Sequence, residues 1–168
     1  MPDRLFLRPF EPGDGEGFYR NVMTDAAAEL FGLDHPAMPY DAQNYIADRI
    51  PYYDKPHFYD FAIVRTSDGE VIGEVNAAYI APGQADIGYL IGSAFRGQGY
   101  AKEAVILLIE RLKEDGISLI YGACRDDNTA SHAVMRACGM KKTTEIPKRV
   151  RRREEESKLQ WYMIETQH

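Results

Sequence analysis

Ala94-Phe95-Arg96-Gly97-Gln98-Gly99-Tyr100-Ala101 lies between an apolar segment of strand character, Ala85 to Ile91, and a segment of strong helical period, Gly99 to Glu114. Ala101, Ala104, Val105, Leu108, Ile109 and Leu112 follow the i, i+3, i+4, i+7 spacing of a helix with one buried face, and Gly116 ends it. The two glycines of the connecting loop let the backbone come close to a ligand and turn successive N–H groups into one space. The helix that follows adds its own unsatisfied N–H groups and the positive end of its dipole. A phosphate or pyrophosphate suits such a loop; a glycine-rich turn that binds nothing is the plain alternative. The stretch lacks Gly-Lys-Ser/Thr, which excludes the ATP or GTP loop. A dinucleotide fold needs Gly or Ala where Lys102 stands, inside a βαβ unit.

The segments before the loop argue against that unit. Phe58 to Arg65, a turn at Ser67-Asp68-Gly69, Glu70 to Ile80, a turn at Ala81 to Gln84, and Ala85 to Ile91 read as an antiparallel meander. Further out, Arg4 to Arg8 is a first strand closed by Pro9 and Pro12, and Asp14 to Thr24 has helical spacing. A second helix is expected from Asp41 as N-cap to the stop at Pro51. After the long helix, Ile117 to Cys124 is apolar on both faces, as a central or parallel strand is. Ala130 to Ala137 reads as a short helix, and Met140 to Ile146 and Lys158 to Glu165 as closing strands. The sum is a single α/β domain over residues 1–168 with a mixed sheet.

Composition narrows the function classes. Twenty basic against 26 acidic residues give the 168-residue chain a net charge of -6. That balance disfavours nucleic acid and anionic membranes as partners; it would draw a cationic substrate, or it serves only to keep the protein soluble. The run Lys148 to Arg153 carries five basic residues, but Glu154-Glu155-Glu156 follows at once, as in a self-neutralising hairpin. Cys124 and Cys138 are too few and too far apart for a disulfide scaffold or a zinc knuckle. The N-terminus lacks a signal-peptide core, and the longest apolar run, Ala104 to Ile109, is far too short to span a membrane. A soluble cytoplasmic protein is expected.

Arg96-Gly97-Gln98-Gly99-Tyr100-Ala101 is similar to the Arg/Gln-x-x-Gly-x-Gly/Ala signature of the GNAT superfamily of acyl-CoA-dependent N-acetyltransferases. The likeness covers almost the whole chain. Arg4-Leu5-Phe6-Leu7-Arg8-Pro9 resembles the family's first strand, and Gly69 to Gly73 its meander. Asp86-Ile87-Gly88-Tyr89-Leu90-Ile91 resembles the strand before the loop, and Asn128-Thr129-Ala130-Ser131 through Cys138-Gly139-Met140 the Asn-x-x-Ser…Gly-Phe block. The combination looks most like the branch that acetylates ribosomal-protein N-termini. The resemblance implies a mixed, mostly antiparallel twisted sheet of about seven strands, flanked by about four helices, with a splay between the two central strands.

It also implies acetyl-CoA as co-substrate, no metal, and direct attack of a primary amine on the thioester. The N–H groups of Gly97, Gln98, Gly99, Tyr100, Ala101 and Lys102 would receive the pyrophosphate, with Arg96 among the cofactor-binding residues. Backbone groups of Tyr89, Leu90 and Ile91, with Asn128 opposite, would hold the pantetheine arm. An α-amine (pKa about 8) or a lysine amine (about 10.4) must lose a proton, so a base is needed. Asp86 stands where the family often has glutamate, and a solvated strand-end carboxylate is its alternative reading. The tyrosine that protonates the thiolate in many members is replaced by Met135, leaving Ser131 as candidate acid, unless its hydroxyl only serves the helix start. The aromatic cluster Tyr52, Tyr53, His57, Phe58 and Tyr59, with Asp54 and Asp60, is a candidate amine site, with core and rim packing as its plain alternative. The acceptor, a protein N-terminal amine or a small-molecule amine, and a homodimer both stay open. A non-catalytic acyl-CoA sensor or assembly domain is the competing class.

Overall fold

In the computed structural model, which describes residues 3–24, 26–147 and 159–167, the chain opens with strand β1 (Leu5–Arg8). A 3-10 turn at Pro12–Asp14 leads into helix α1 (Gly15–Phe18), which widens into a π turn at Tyr19–Met23. Helix α2 (Pro39–Ala47) follows, then β2 (Tyr59–Arg65), β3 (Val71–Ala81) and β4 (Gln84–Ile91). Helix α3 (Tyr100–Glu114), β5 (Leu119–Arg125), α4 (Thr129–Ala137), β6 (Lys141–Thr143) and β7 (Leu159–Glu165) complete it.

The seven strands form one sheet in the order β1-β2-β3-β4-β5-β7-β6. All neighbours are antiparallel except β4 and β5. The expected mixed sheet is therefore present, with its single parallel pair at the centre.

Two local expectations are corrected. Asp41 is the third residue of α2, not its N-cap, because Pro39, with its preset φ and missing N–H, opens the helix. The Asp41 carboxylate still serves the helix end, accepting the Met38 N–H at 2.8 Å. The strand expected over Met140 to Ile146 shrinks to Lys141–Thr143. The basic run Lys148 to Arg153 lies outside the described residues.

Two apolar layers cover the sheet. On one face Ala104, Val105, Leu108 and Leu112 of α3 pack against Leu5, Ile63, Val75 and Ile87. Each such fully buried aliphatic side chain contributes about 1.5–3 kcal/mol by leaving water. On the other face Phe18, Val22, Ala42 and Ile46 cover Ala62, Val64 and Val71. A smaller cluster on that second face, Ile80, Tyr121 and Trp161, lies over β5 and β7.

The parallel pair is incomplete. Its rungs run from Gln84↔Leu119 to Ile87↔Gly122 and stop there, although β4 continues to Ile91 and β5 to Arg125. Beyond the last rung β4 stays paired to β3 as far as Gly73↔Ile91, and β5 to β7 as far as Arg125↔Leu159. Each strand is held by its outer neighbour while the two part from each other, so the gap is a built feature and not a frayed end.

Candidate active site

The loop between β4 and α3 turns through Ser93–Phe95 and then takes two left-handed glycines, Gly97 at φ 74° and Gly99 at φ 83°. An L side chain in that region costs about 1–2 kcal/mol. Gly99 is the N-cap of α3 and has no side chain to offer the first turn. The first backward bond is from the Glu103 N–H to the Gly99 carbonyl at 3.2 Å. The N–H groups of Tyr100, Ala101 and Lys102 precede it and have no intrahelical acceptor. A Cβ on Gly97 would meet nothing within 4 Å, so the cradle is open where an anion would sit.

A residue from the far edge of the sheet holds this loop. The Arg4 guanidinium donates to the Gln98 carbonyl and to the Glu103 carboxylate, both at 2.8 Å, and lies 4.5 Å over the Tyr100 ring. The sequence reading saw Arg4 only as the flank of a strand. Nothing in its local pattern pointed to the loop.

From the loop a cleft of about 500 Å³ runs along the parted strands. Arg96, Gly97, Gly99, Tyr100, Ala101 and Lys102 line its loop end; Tyr89, Leu90 and Ile91 form one wall; Asn128, Ser131 and Val134 form the other. Gln98 is not among the lining residues, and its carbonyl is turned to Arg4. The strand residues divide by direction. Leu90 turns its carbonyl toward Gly73 of β3, so by alternation Tyr89 and Ile91 direct their main-chain groups at the gap. The Ile91 carbonyl there accepts from Arg96 Nε at 2.9 Å.

On the opposite wall Asn128 caps α4, its Oδ1 accepting the Ser131 N–H at 3.1 Å. Capping is thus Asn128's task, which frees the Ser131 hydroxyl. That hydroxyl accepts a hydrogen bond from Tyr89 Oη at 3.0 Å across the cleft. Met135, one turn further on, is buried, and its methyl lies 2.8 Å from where a Cβ on Gly122 would stand. It fills the core and has no proton to give. His132, next to Ser131, points away: its Nδ1 meets Tyr162 Oη at 2.7 Å and Cys124 Sγ at 3.6 Å.

Asp86 sits on the other face of the sheet. Side chains alternate along a strand. Ala85, Ile87 and Ile91 enter the core under α3 and Tyr89 packs on it, while Leu90 packs on the α1 and α2 side. Asp86 shares the latter face, level with Tyr121 across the parallel pair and one rung before the strands part. It is half-buried, and burial pushes its carboxyl up to about 7. Two residues along, the Asn76 Oδ1 stands 3.0 Å from where a Cβ on Gly88 would be, so the amide of the neighbouring strand lies over Gly88.

The same face carries a buried ionic cluster in which Asp60, a candidate for the amine site, is joined by Arg49, Tyr45 and Glu74, to which no sequence pattern gives a role. Arg49 Nε donates to Asp60 Oδ2 at 2.6 Å, and the guanidinium lies 3.3 Å over the Tyr45 ring. Tyr45 Oη donates to Glu74, 2.9 and 2.8 Å from its two oxygens. Burial first, then the neighbouring Asp60 charge, pushes Glu74 up to about 8. Asp60 Oδ1 is buried without a partner among the described residues. Strand alternation alone would have turned Asp60 and Glu74 inward, but no sequence signal joins them to Arg49.

The expected aromatic amine site does not line the cleft. Tyr53 accepts the Phe10 N–H at 3.0 Å and meets Phe58 edge-on, and His57 stacks on Tyr79 with ring centroids 4.0 Å apart. Among the described residues no three His, Cys, Asp or Glu side chains come together to hold a metal ion. No helix among them is long and apolar enough to cross a membrane.

Comparison with known proteins places this architecture. Solved structures of similar fold include the GNAT-family acetyltransferase of Bacillus anthracis, at 20% identity and TM-score 0.77, covering 97% of this chain and 95% of that one. The microcin C7 self-immunity acetyltransferase MccE, solved with acetyl-CoA and AMP, aligns at 19% identity and TM-score 0.77 over 98% and 93% of the two chains. The ribosomal L7/L12 alpha-N-protein acetyltransferase, solved with coenzyme A, aligns at 20% identity and TM-score 0.75 over 96% and 94%. The acetyltransferase (GNAT) domain matches residues 4–141, everything from the first strand to the start of β6. The chain belongs to the GNAT acetyltransferase family.

Proposed function

We propose that the chain, acting as one domain over residues 1–168, moves an acetyl group from acetyl-CoA to a primary amine by direct attack in a ternary complex. The observation that carries this reading is the parting of β4 from β5 just beyond Asp86, with Asp86 on one face and the cleft of Tyr89 and Ser131 on the other. A thioester held along the cleft and an amine brought to the opposite face would meet at the gap. The N–H groups of Gly97 to Lys102 and the Arg96 and Lys102 charges suit a pyrophosphate. Tyr89, Ile91 and the Asn128 amide border the path of a pantetheine arm.

Bound acetyl-CoA supplies an activated acyl group on a good leaving group. The protein's part is positioning and proton handling. Asp86, poised near 7 by burial, takes the proton from the attacking amine, directly or through water. A main-chain N–H at the gap polarises the thioester carbonyl, an effect often worth about 3 kcal/mol per donor. Ser131 faces the departing thiolate.

The acceptor is a protein N-terminal α-amine, the kind named for the L7/L12 relative, or a small-molecule amine. Two free thiols, Cys124 and Cys138, suit a reducing cytoplasmic setting. The deciding experiment incubates the protein and labelled acetyl-CoA with N-terminal peptides and small amines, reading thiol release and product mass. Acetylated product from at least one acceptor is expected. Coenzyme A binding with no turnover on any acceptor would select the competing role of acyl-CoA sensor or assembly domain, which the buried Met135 favours.

A further inference from the structure

Two hydroxyls face each other across the cleft, and their proton count has a consequence. A phenol carries one proton, and a serine hydroxyl carries one proton and two lone pairs. With the Tyr89 proton given to Ser131 Oγ at 3.0 Å, the Ser131 proton must point elsewhere. The Ser131 N–H is already held by Asn128, which fixes the residue at the start of α4. Both side chains line the cleft, so the direction left to the Ser131 proton is into it.

We propose that Tyr89 is a positioning residue that turns the Ser131 O–H toward the sulfur of bound coenzyme A, so that the pair stabilises the departing thiolate. This rests on the reading above that Ser131 serves the leaving group. Tyr89 can keep this role through the neutral range. Burial is the largest influence and raises its phenol above the ordinary value; the Ser131 hydrogen bond lowers it, and the titratable groups bearing on it, Cys124 and Cys138, raise it, with a net upward shift. It therefore stays a donor.

When the tetrahedral adduct collapses, the C–S bond breaks with its electron pair on sulfur. Ser131 donates a hydrogen bond to that thiolate and neither hydroxyl loses its proton. The proton shed by the amine has gone to Asp86. Met135 contributes none.

The test needs no acceptor. The full-length protein saturated with coenzyme A is titrated with base while the ultraviolet absorbance of the thiolate is followed, alongside calorimetric affinity. An ordinary cysteine thiol ionises near about 8.5. The bound thiol of the unaltered protein is expected to ionise more readily than that in Tyr89→Phe or Ser131→Ala, by about three- to tenfold in ionisation constant, the effect of one hydrogen bond. The double variant should match Ser131→Ala, and Ser131→Thr should restore the original titration. A Tyr89→Phe titration like that of the unaltered protein, or additive effects, would overturn the proposal while leaving Ser131 in place. A Ser131→Ala titration like that of the unaltered protein would remove both, and failure to bind coenzyme A at all would remove the cleft reading itself.

Discussion

Arg4, at the edge of the sheet, donates from Nη2 to the main-chain carbonyl of Gln98 at 2.8 Å, ninety-four residues away. The same guanidinium reaches Glu103 and covers Tyr100. One side chain thus holds the loop from both ends of its turn and keeps the Gln98 carbonyl, an unwelcome neighbour for an anion, directed away from the cradle. Arg4→Met is expected to raise the acetyl-CoA dissociation constant about three- to tenfold, the loss of one or two charge-assisted bonds in loop order. Isothermal calorimetry reads it directly; an unchanged constant would remove Arg4 from the positioning of the loop.

Gly99→Ala tests the cradle itself. The new Cβ would stand 3.3 Å from Arg4 Nη2, at a φ of 83° that alanine resists. Acetyl-CoA binding should fall at least about tenfold, equivalent to about 1.4 kcal/mol, while far-ultraviolet dichroism stays native. Unaltered affinity would separate the loop from the ligand.

On the proposed mechanism, Asp86 is expected to set the acid side of the rate profile. Its carboxyl, raised to about 7, is ionised and able to accept a proton only above that pH. With the best acceptor found, kcat/KM should climb through about pH 7 and then level with respect to this group. In Asp86→Asn that limb should vanish. If it persists in the variant, another group is the base.

Burial of carboxyls also shapes stability. Glu74, about 8 against an ordinary 4.5, and Asp86, about 7 against 3.8, bind protons more tightly in the folded protein than in the unfolded chain. The folded state therefore holds more protons between roughly pH 4 and pH 8, and stability falls as pH rises through that window. The stabilisation from these groups is fully present below their unfolded values and is lost as pH passes their folded values. Glu74→Gln, which removes the titrating group at nearly constant size, should flatten the slope. Urea midpoints at several pH values measure it, and an equally steep fall in the variant would contradict the assignment.

Much of the architecture is legible along the chain. The apolar repeat at Ala101, Ala104, Val105, Leu108 and Leu112 marked α3, and the turns at Gly69 and Gly83 delimited the meander. These signals act between residues a few positions apart, and the chain spells them out directly. The sequence pattern puts the N-cap of α2 three residues late, at Asp41 and not Met38, because Asp41 and Pro39 both carry helix-start chemistry and the proline prevails. The glycine loop, the strand before it and Asn128 and Ser131 were likewise visible as motifs.

The partnerships that give those motifs their roles were not visible. Tyr89 meets Ser131 across forty-two positions, and Arg4 meets Gln98 across ninety-four. Arg49 joins Asp60 and Glu74 only because β2 and β3 lie side by side beneath α2. Which strands neighbour each other, and where β4 leaves β5, follow from the packing of helices on both faces of the sheet. Periodicity assigns a side chain to a face; only the folded chain assigns it a partner, because contact energies between distant segments depend on geometry that no local pattern carries.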